Sequence, residues 1–171
     1  MIKYSAIAAS LLLAAPLVAD AAPEAGDGSV SIFGTGASDK NFDGNNFGVA
    51  GEIGYYGSDQ LLYGIRQSVS GSAGDDVSDA WNGATRLFAD YHFGSGPALP
   101  YVGANIGAIY GDGVKNTGSA GLEAGVKYYV LDKTFINFGV EYAFLFDDGD
   151  DIDNSFDDGA FFYNLGVGFN F

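Results

Sequence analysis

The sequence contains no cysteine. No disulfide can brace the fold, and no lipid can be attached through a thiol. Proline is nearly absent, with 4 in the chain, and after Pro23 only Pro97 and Pro100 remain, both in one apparent turn. Central strands exclude proline because it cannot donate to the ladder, so the rest of the chain is free to be strand. Bases are scarce, 7 Lys and Arg against 22 Asp and Glu, a net charge of −15. Such a chain lacks the basic surface that nucleic acid requires, and no nucleic-acid partner is expected. Beyond the first residues there is no run of the ~18 apolar residues that a membrane-spanning helix needs.

What is present begins with a targeting segment. "MIKYSAIAASLLLAAPLVADAAPEAG" carries Lys3, an apolar stretch from Ile7 to Val18, and the small-x-small triplet Ala19-Asp20-Ala21. This predicts a secretory signal over residues 1–21, removed after Ala21, and a single domain over residues 22–171.

The domain alternates. Eight segments with period two are read at residues 29–38, 46–56, 60–70, 81–93, 101–111, 117–129, 134–146 and 159–171. The seventh is the most regular, with Ile136, Phe138, Val140, Tyr142, Phe144 and Phe146 on one face. The last, "FFYNLGVGFNF", puts Phe161, Tyr163, Leu165, Val167, Phe169 and Phe171 on one face, and only Phe162 breaks the pattern. The opposite parity carries Glu52, Arg66, Arg86, Asp90, His92, Glu123, Lys127 and Glu141 among small residues.

Alternation alone fits a soluble barrel with an apolar lumen or a membrane barrel with a polar one. Three features favour the membrane. Each apolar face has about the ~9–11 residues that cross a bilayer at a tilt. Aromatic residues collect at strand ends, Trp81 and Tyr110 at one level and Tyr55, Tyr63, Tyr91, Phe93 and Tyr128 at the other. The joints 57–59, 94–100 and 130–133 are read as short turns, and 39–45, 71–80, 112–116 and 147–158 as loops on the other side. The fold expected is an all-β, eight-stranded antiparallel up-and-down transmembrane barrel.

With "PYVGANIGAIY" at residues 100–110 and "YNLGVGFNF" at residues 163–171, the chain resembles the OmpA/OmpX-like small outer-membrane barrels of Gram-negative bacteria. The resemblance implies the bacterial outer membrane as the location. Lipid and lipopolysaccharide are the implied surroundings, and a monomer is the implied state. It also implies that Tyr163, Leu165, Val167, Phe169 and Phe171 form the signal read by the barrel-assembly machinery. The peptidoglycan-binding domain found in OmpA-like proteins is not carried over to a sequence that stops at Phe171.

An eight-stranded barrel has a lumen just wide enough for its own side chains. Glu52, Asp90, Glu123 and Glu141 are expected inside with Arg66, Arg86 and Lys127. Glu52 and Arg66 are expected as diagonal partners across a tight turn. The set reads as a salt-bridged plug, giving a non-enzymatic structural or surface-interaction protein. The alternative is a narrow ion or small-solute channel. A lipid-modifying surface enzyme is the third reading. It is opposed by the position of the sole histidine, His92, two residues from Gly94 at the wrong end of its strand. No cofactor is expected. The loop "DDGDDIDNSFDDG" gathers Asp147, Asp148, Asp150, Asp151, Asp153, Asp157 and Asp158, weak candidates for divalent cations. They lack the spacing of a fixed calcium loop, and a solvated surface is the simpler reading.

Overall fold

The computed structural model describes residues 23–39, 45–74, 77–111, 116–146 and 159–171, without the side chains of 38–39, 45–46, 72–74 and 77–80. Its regular structure is eight strands. They are β1 (Gly28–Asp39), β2 (Asn45–Tyr56), β3 (Leu61–Gly74), β4 (Val77–His92), β5 (Ala98–Gly111), β6 (Thr117–Tyr129), β7 (Thr134–Phe146) and β8 (Ala160–Asn170). Each pairs antiparallel with the next, and β8 pairs with β1 to close the barrel. Closure is fastened at the chain ends, where the Gly28 and Phe171 amides each donate to the other residue's carbonyl, at 2.8 and 2.9 Å.

Parity sets the polarity of the wall. Ile32, Val49, Leu87, Ile106, Leu122 and Leu165 face outward, as does Phe47, 74% exposed. Glu52, Arg66, Arg86, Asp90, Glu123, Lys127 and Glu141 face inward and are all buried. A soluble barrel would show the reverse. A wall that is apolar outside and charged inside suits lipid, where every backbone group must be satisfied by a closed ladder.

Aromatic rings form two belts on the outside. Near the chain ends Tyr55 meets Tyr63 and Tyr91 meets Phe93 edge to face. At the far end Trp81 meets Tyr110, and Tyr142 meets both Phe144 and Phe161. Amphipathic rings favour the boundary between hydrocarbon and water.

Three details depart from the sequence reading. The segment 71–80 is mostly strand, because β3 runs to Gly74 and β4 starts at Val77, with a register shift between Ser72 and Gly74. Small residues and glycine tolerate such a bulge and let a hairpin continue beyond its apolar part. Gln60 belongs to the turn, which closes through Gly57 N to Leu61 O at 2.9 Å and Leu61 N to Ser58 Oγ at 3.1 Å. Pro100 lies inside β5 rather than in a turn. Its carbonyl accepts from Phe93 N at 2.8 Å, so its ring nitrogen faces the end of β4, where only one ladder bond is forfeited. The reversal itself is made at Gly94 and Gly96, with φ of 82° and 116°, a region L side chains avoid.

The outward face is testable with the single tryptophan, Trp81, which is 46% exposed on the wall. In the refolded protein, lipids brominated on their acyl chains should quench its fluorescence strongly. In a Trp81→Phe/Phe33→Trp variant the tryptophan points into the lumen and should escape quenching. Equal quenching of both would invert or abolish the assigned polarity.

Candidate functional site

The candidate site is the lumen. Its middle is organised by strand register. Glu52 on β2 lies directly opposite Arg66 on β3, and Arg66 directly opposite Arg86 on β4. Glu123 on β6 lies directly opposite Glu141 on β7. The diagonal expected for Glu52 and Arg66 is thus a direct pairing, because the turn takes in Gln60. Two neighbouring arginines on one side therefore face two neighbouring glutamates on the other.

Arg66 bridges them. Its Nε and Nη2 donate to Glu52 Oε2 at 3.0 and 2.9 Å, and its Nη1 donates to Glu123 Oε2 at 2.7 Å. Nη2 also reaches Glu123 Oε1 at 3.4 Å, and Nη1 lies 3.8 Å from Glu141 Oε2. The guanidinium lies 5.0 Å from the centre of the Phe88 ring. Charge-assisted, multiply donated contacts of this kind are among the stronger hydrogen bonds, and here lipid-walled protein replaces solvent around them. Arg86 is held more loosely. Its Nε is 3.6 Å from Glu141 Oε1, and the Phe162 ring lies 4.7 Å from the guanidinium carbon.

Asp90 is buried over Gly103 of β5, with its carboxylate where a Cβ at that position would lie. Only glycine leaves that space. Asp90 joins none of the ion pairs around Arg66 and Arg86. Lys127 rests its ammonium against Tyr56 and Phe135, 5.5 and 4.8 Å from the ring centres, and lies 3.3 Å from Tyr56 Oη.

Toward the chain ends the lumen turns aromatic. Leu99, Tyr129 and Phe135 form one buried cluster, and Tyr56, Leu62 and Phe88 another. His92 lies between Tyr56 and Tyr101, with ring centres at 5.6 and 5.4 Å, and its Nδ1 is 3.2 Å from the Gln60 carbonyl. Asn170 Nδ2 donates to Tyr129 Oη at 2.7 Å. These rings are absent from the sequence reading, although a signal existed. The doublets Tyr55-Tyr56, Tyr128-Tyr129 and Phe161-Phe162 break the alternation. Tyr56 and Tyr129 are fully buried, while Tyr55 is exposed on the wall.

Toward the other end the lumen opens into a cavity of about 40 Å³. Several buried polar atoms have no hydrogen-bond partner among the described residues, including Arg86 Nε and Nη2, both amide atoms of Asn105, and Glu141 Oε1. Buried polar groups without a protein partner call for water or an ion.

Of the assembly-signal residues, Leu165, Val167, Phe169 and Phe171 are exposed on the wall and Tyr163 is half-buried. The Phe171 ring covers Gly28. Asp147, Asp148, Asp150, Asp151, Asp153, Asp157 and Asp158 lie outside the described residues.

Comparison with solved structures defines the class. The Neisserial surface protein A barrel aligns with a TM-score of 0.64 and 16% identity, over 85% of this chain and 96% of that one. The outer membrane protein OprG of Pseudomonas aeruginosa gives 0.63 and 14%, over 90% and 99%. The N-terminal β-barrel domain of OprF from the same organism gives 0.56 and 25%, over 84% and 97%. The chain has the fold of the small eight-stranded outer-membrane β-barrels. No family model matches the sequence, and no curated protein does.

The Arg66 bridge makes a stability prediction. Arg66→Ala strands Glu52 and Glu123 in the lumen and should destabilise the refolded barrel by about 3–5 kcal/mol, the range for breaking a buried pair. Urea unfolding in short-chain lipid reads this. A loss below about 1 kcal/mol, the ceiling for solvent-exposed pairs, would mean that the bridge is hydrated rather than buried.

Proposed function

We propose that this protein is a plugged, non-enzymatic outer-membrane barrel that serves as a structural wall element and presents its far-end loops to the surroundings. The observation that carries the reading is the Arg66 bridge, which joins β3 to β2 and, across the lumen, to β6. Below it the lumen is filled by Tyr56, Tyr101, Tyr129 and Phe135, each no more than 3% exposed. Ions crossing would have to displace both layers. Lipid, including lipopolysaccharide, is the partner of the apolar wall. Both chain ends and the turns 57–60, 93–97 and 130–133 then face the periplasm. No reaction is assigned: His92 is enclosed by Tyr56 and Tyr101 at the periplasmic end, away from the outer leaflet.

The second reading is a narrow path for ions or small solutes. Its support is the set of partnerless polar atoms and the cavity beside Arg86. Planar-bilayer recording separates the two. The plugged barrel should show no stable nanosiemens-scale steps, and Arg66→Ala should raise the conductance only if the bridge is the barrier. Regular openings of the unmodified protein would favour the channel.

The terminal strand is read as the address for the assembly machinery. Its apolar residues lie on the wall as those of the other strands do, and the support for the reading is the terminal aromatic pattern of Tyr163, Leu165, Val167, Phe169 and Phe171. Deleting Phe171 should cut outer-membrane insertion in cells severalfold while changing refolding into short-chain lipid far less. Normal surface levels without Phe171 would remove the signal from this proposal.

A further inference from the structure

We propose that the lipid-facing wall carries a recognition site for a lipid with a hydroxyl on its acyl chain, made by Gln67, Thr85 and Tyr110 in the half of the barrel away from the chain termini. Between the two aromatic belts, every other outward position among the described residues is apolar, aromatic or glycine. Gln67 is exposed between Ile65 and Val69 on β3, and Thr85 lies directly opposite it on β4. Polar side chains on a face that meets hydrocarbon are costly, so this one polar spot calls for a reason.

The three side chains form a closed ring of hydrogen bonds. Thr85 Oγ1 donates to Gln67 Oε1 at 2.6 Å, which spends its only proton. The 3.0 Å contact between Thr85 Oγ1 and Tyr110 Oη is therefore donated by Tyr110. Gln67 Nε2 donates to Tyr110 Oη at 2.8 Å and to the Ser68 carbonyl at 3.3 Å, which fixes the orientation of the amide. Gly83, directly opposite Tyr110, lets the phenol lie back along the wall, since a Cβ there would be 2.6 Å from its ring.

Every donor of the ring is spent, and acceptor capacity is left over. Gln67 Oε1 and Thr85 Oγ1 each take one hydrogen bond and can accept another. The site answers a donor and offers none, so a lipid carbonyl or phosphate gains nothing from it. A second copy of this chain meeting the patch symmetrically would bring only the same acceptors. Depth narrows the donor further. Thr85 lies four residues from Trp81 toward the middle of the wall, roughly 10 Å deeper for a strand rising ~3.4 Å per residue at a tilt of ~40°. Water and headgroup amines stay above that level, whereas an acyl chain carries a hydroxyl down to it. Ala108, exposed and directly opposite Thr85, leaves the approach open.

The test uses Trp81, the sole tryptophan, whose ring centre lies 6.4 Å from that of Tyr110. The mature barrel is refolded in phosphatidylcholine brominated on its acyl chains, which quenches Trp81. Phosphatidylethanolamine with 3-hydroxytetradecanoyl chains is titrated in, and the same lipid with plain tetradecanoyl chains serves as the comparison. The hydroxylated lipid should relieve the quenching at an about threefold lower mole fraction, the worth of one hydrogen bond within a membrane. Gln67→Leu combined with Thr85→Val removes the acceptors and should make the two lipids equal. Should that pair fail to fold, Thr85→Val alone should reduce the preference. Equal relief by the two lipids in the unmodified protein, or an undiminished preference in a variant that folds, would overturn the site and leave a self-contained staple of β3, β4 and β5. The inference rests on the lipid-facing wall proposed above. A Trp81 that brominated chains do not quench would refute that wall and this site with it, whereas strong quenching without a preference removes the site alone.

Discussion

A charge in the wall of a lipid-embedded barrel has one place to go, which is inward, and once there it must be answered. Arg66 is where this constraint is met most fully. One guanidinium contacts a carboxylate on the neighbouring strand and another across the lumen, within 3 Å of each. The cost of taking three charges from water is then offset by geometry rather than by area. The positions of Glu52, Glu123 and Glu141 follow from it. Small neighbours leave room for the inward carboxylates, Gly103 for Asp90 and Gly121 for Glu141.

The outer surface obeys the complementary rule. Valine, leucine, isoleucine and phenylalanine are exposed because the medium around them is apolar, and the same pattern in water would drive aggregation. Period two makes both rules hold at once. A one-residue slip in any strand would present arginine or glutamate to lipid and leucine to the lumen. Register in this fold is therefore fixed by both faces together.

Much of this was legible in the sequence. Every strand was found from alternation, and the inward parity of Glu52, Arg66, Arg86, Asp90, Glu123, Lys127 and Glu141 followed directly. What escaped depended on register or on exceptions to the rule. Whether Gln60 joined strand or turn decided if Glu52 faced Arg66 squarely, and no local pattern settles that. Arg66 and Glu123 are 57 residues apart in sequence. They meet only because a closed sheet brings opposite sides within reach, which periodicity cannot express. Pro100 reads in sequence as a strand breaker because it lacks a donor, although at a strand end little is lost. The inner aromatic layer was hidden in doublets, where one ring obeys the outward rule and its neighbour does not. The acidic residues from Asp147 to Asp158 are conspicuous in composition, but nothing in their spacing fixes a geometry.

The side-by-side placement of like charges also bears on how the barrel forms. Arg66 and Arg86 repel one another across β3 and β4, as Glu123 and Glu141 do across β6 and β7. Each of those hairpins, taken alone in a membrane, is electrostatically frustrated. Glu52 on β2 answers Arg66 from the neighbouring strand, but the Glu123–Glu141 pair is answered when the two halves of the sheet approach and the β3 guanidinium reaches the β6 carboxylate. In the completed ring the carboxylates of β6 and β7 meet the guanidinium that partial sheets leave out of their reach, so the lumen charges favour the closed barrel over an open one.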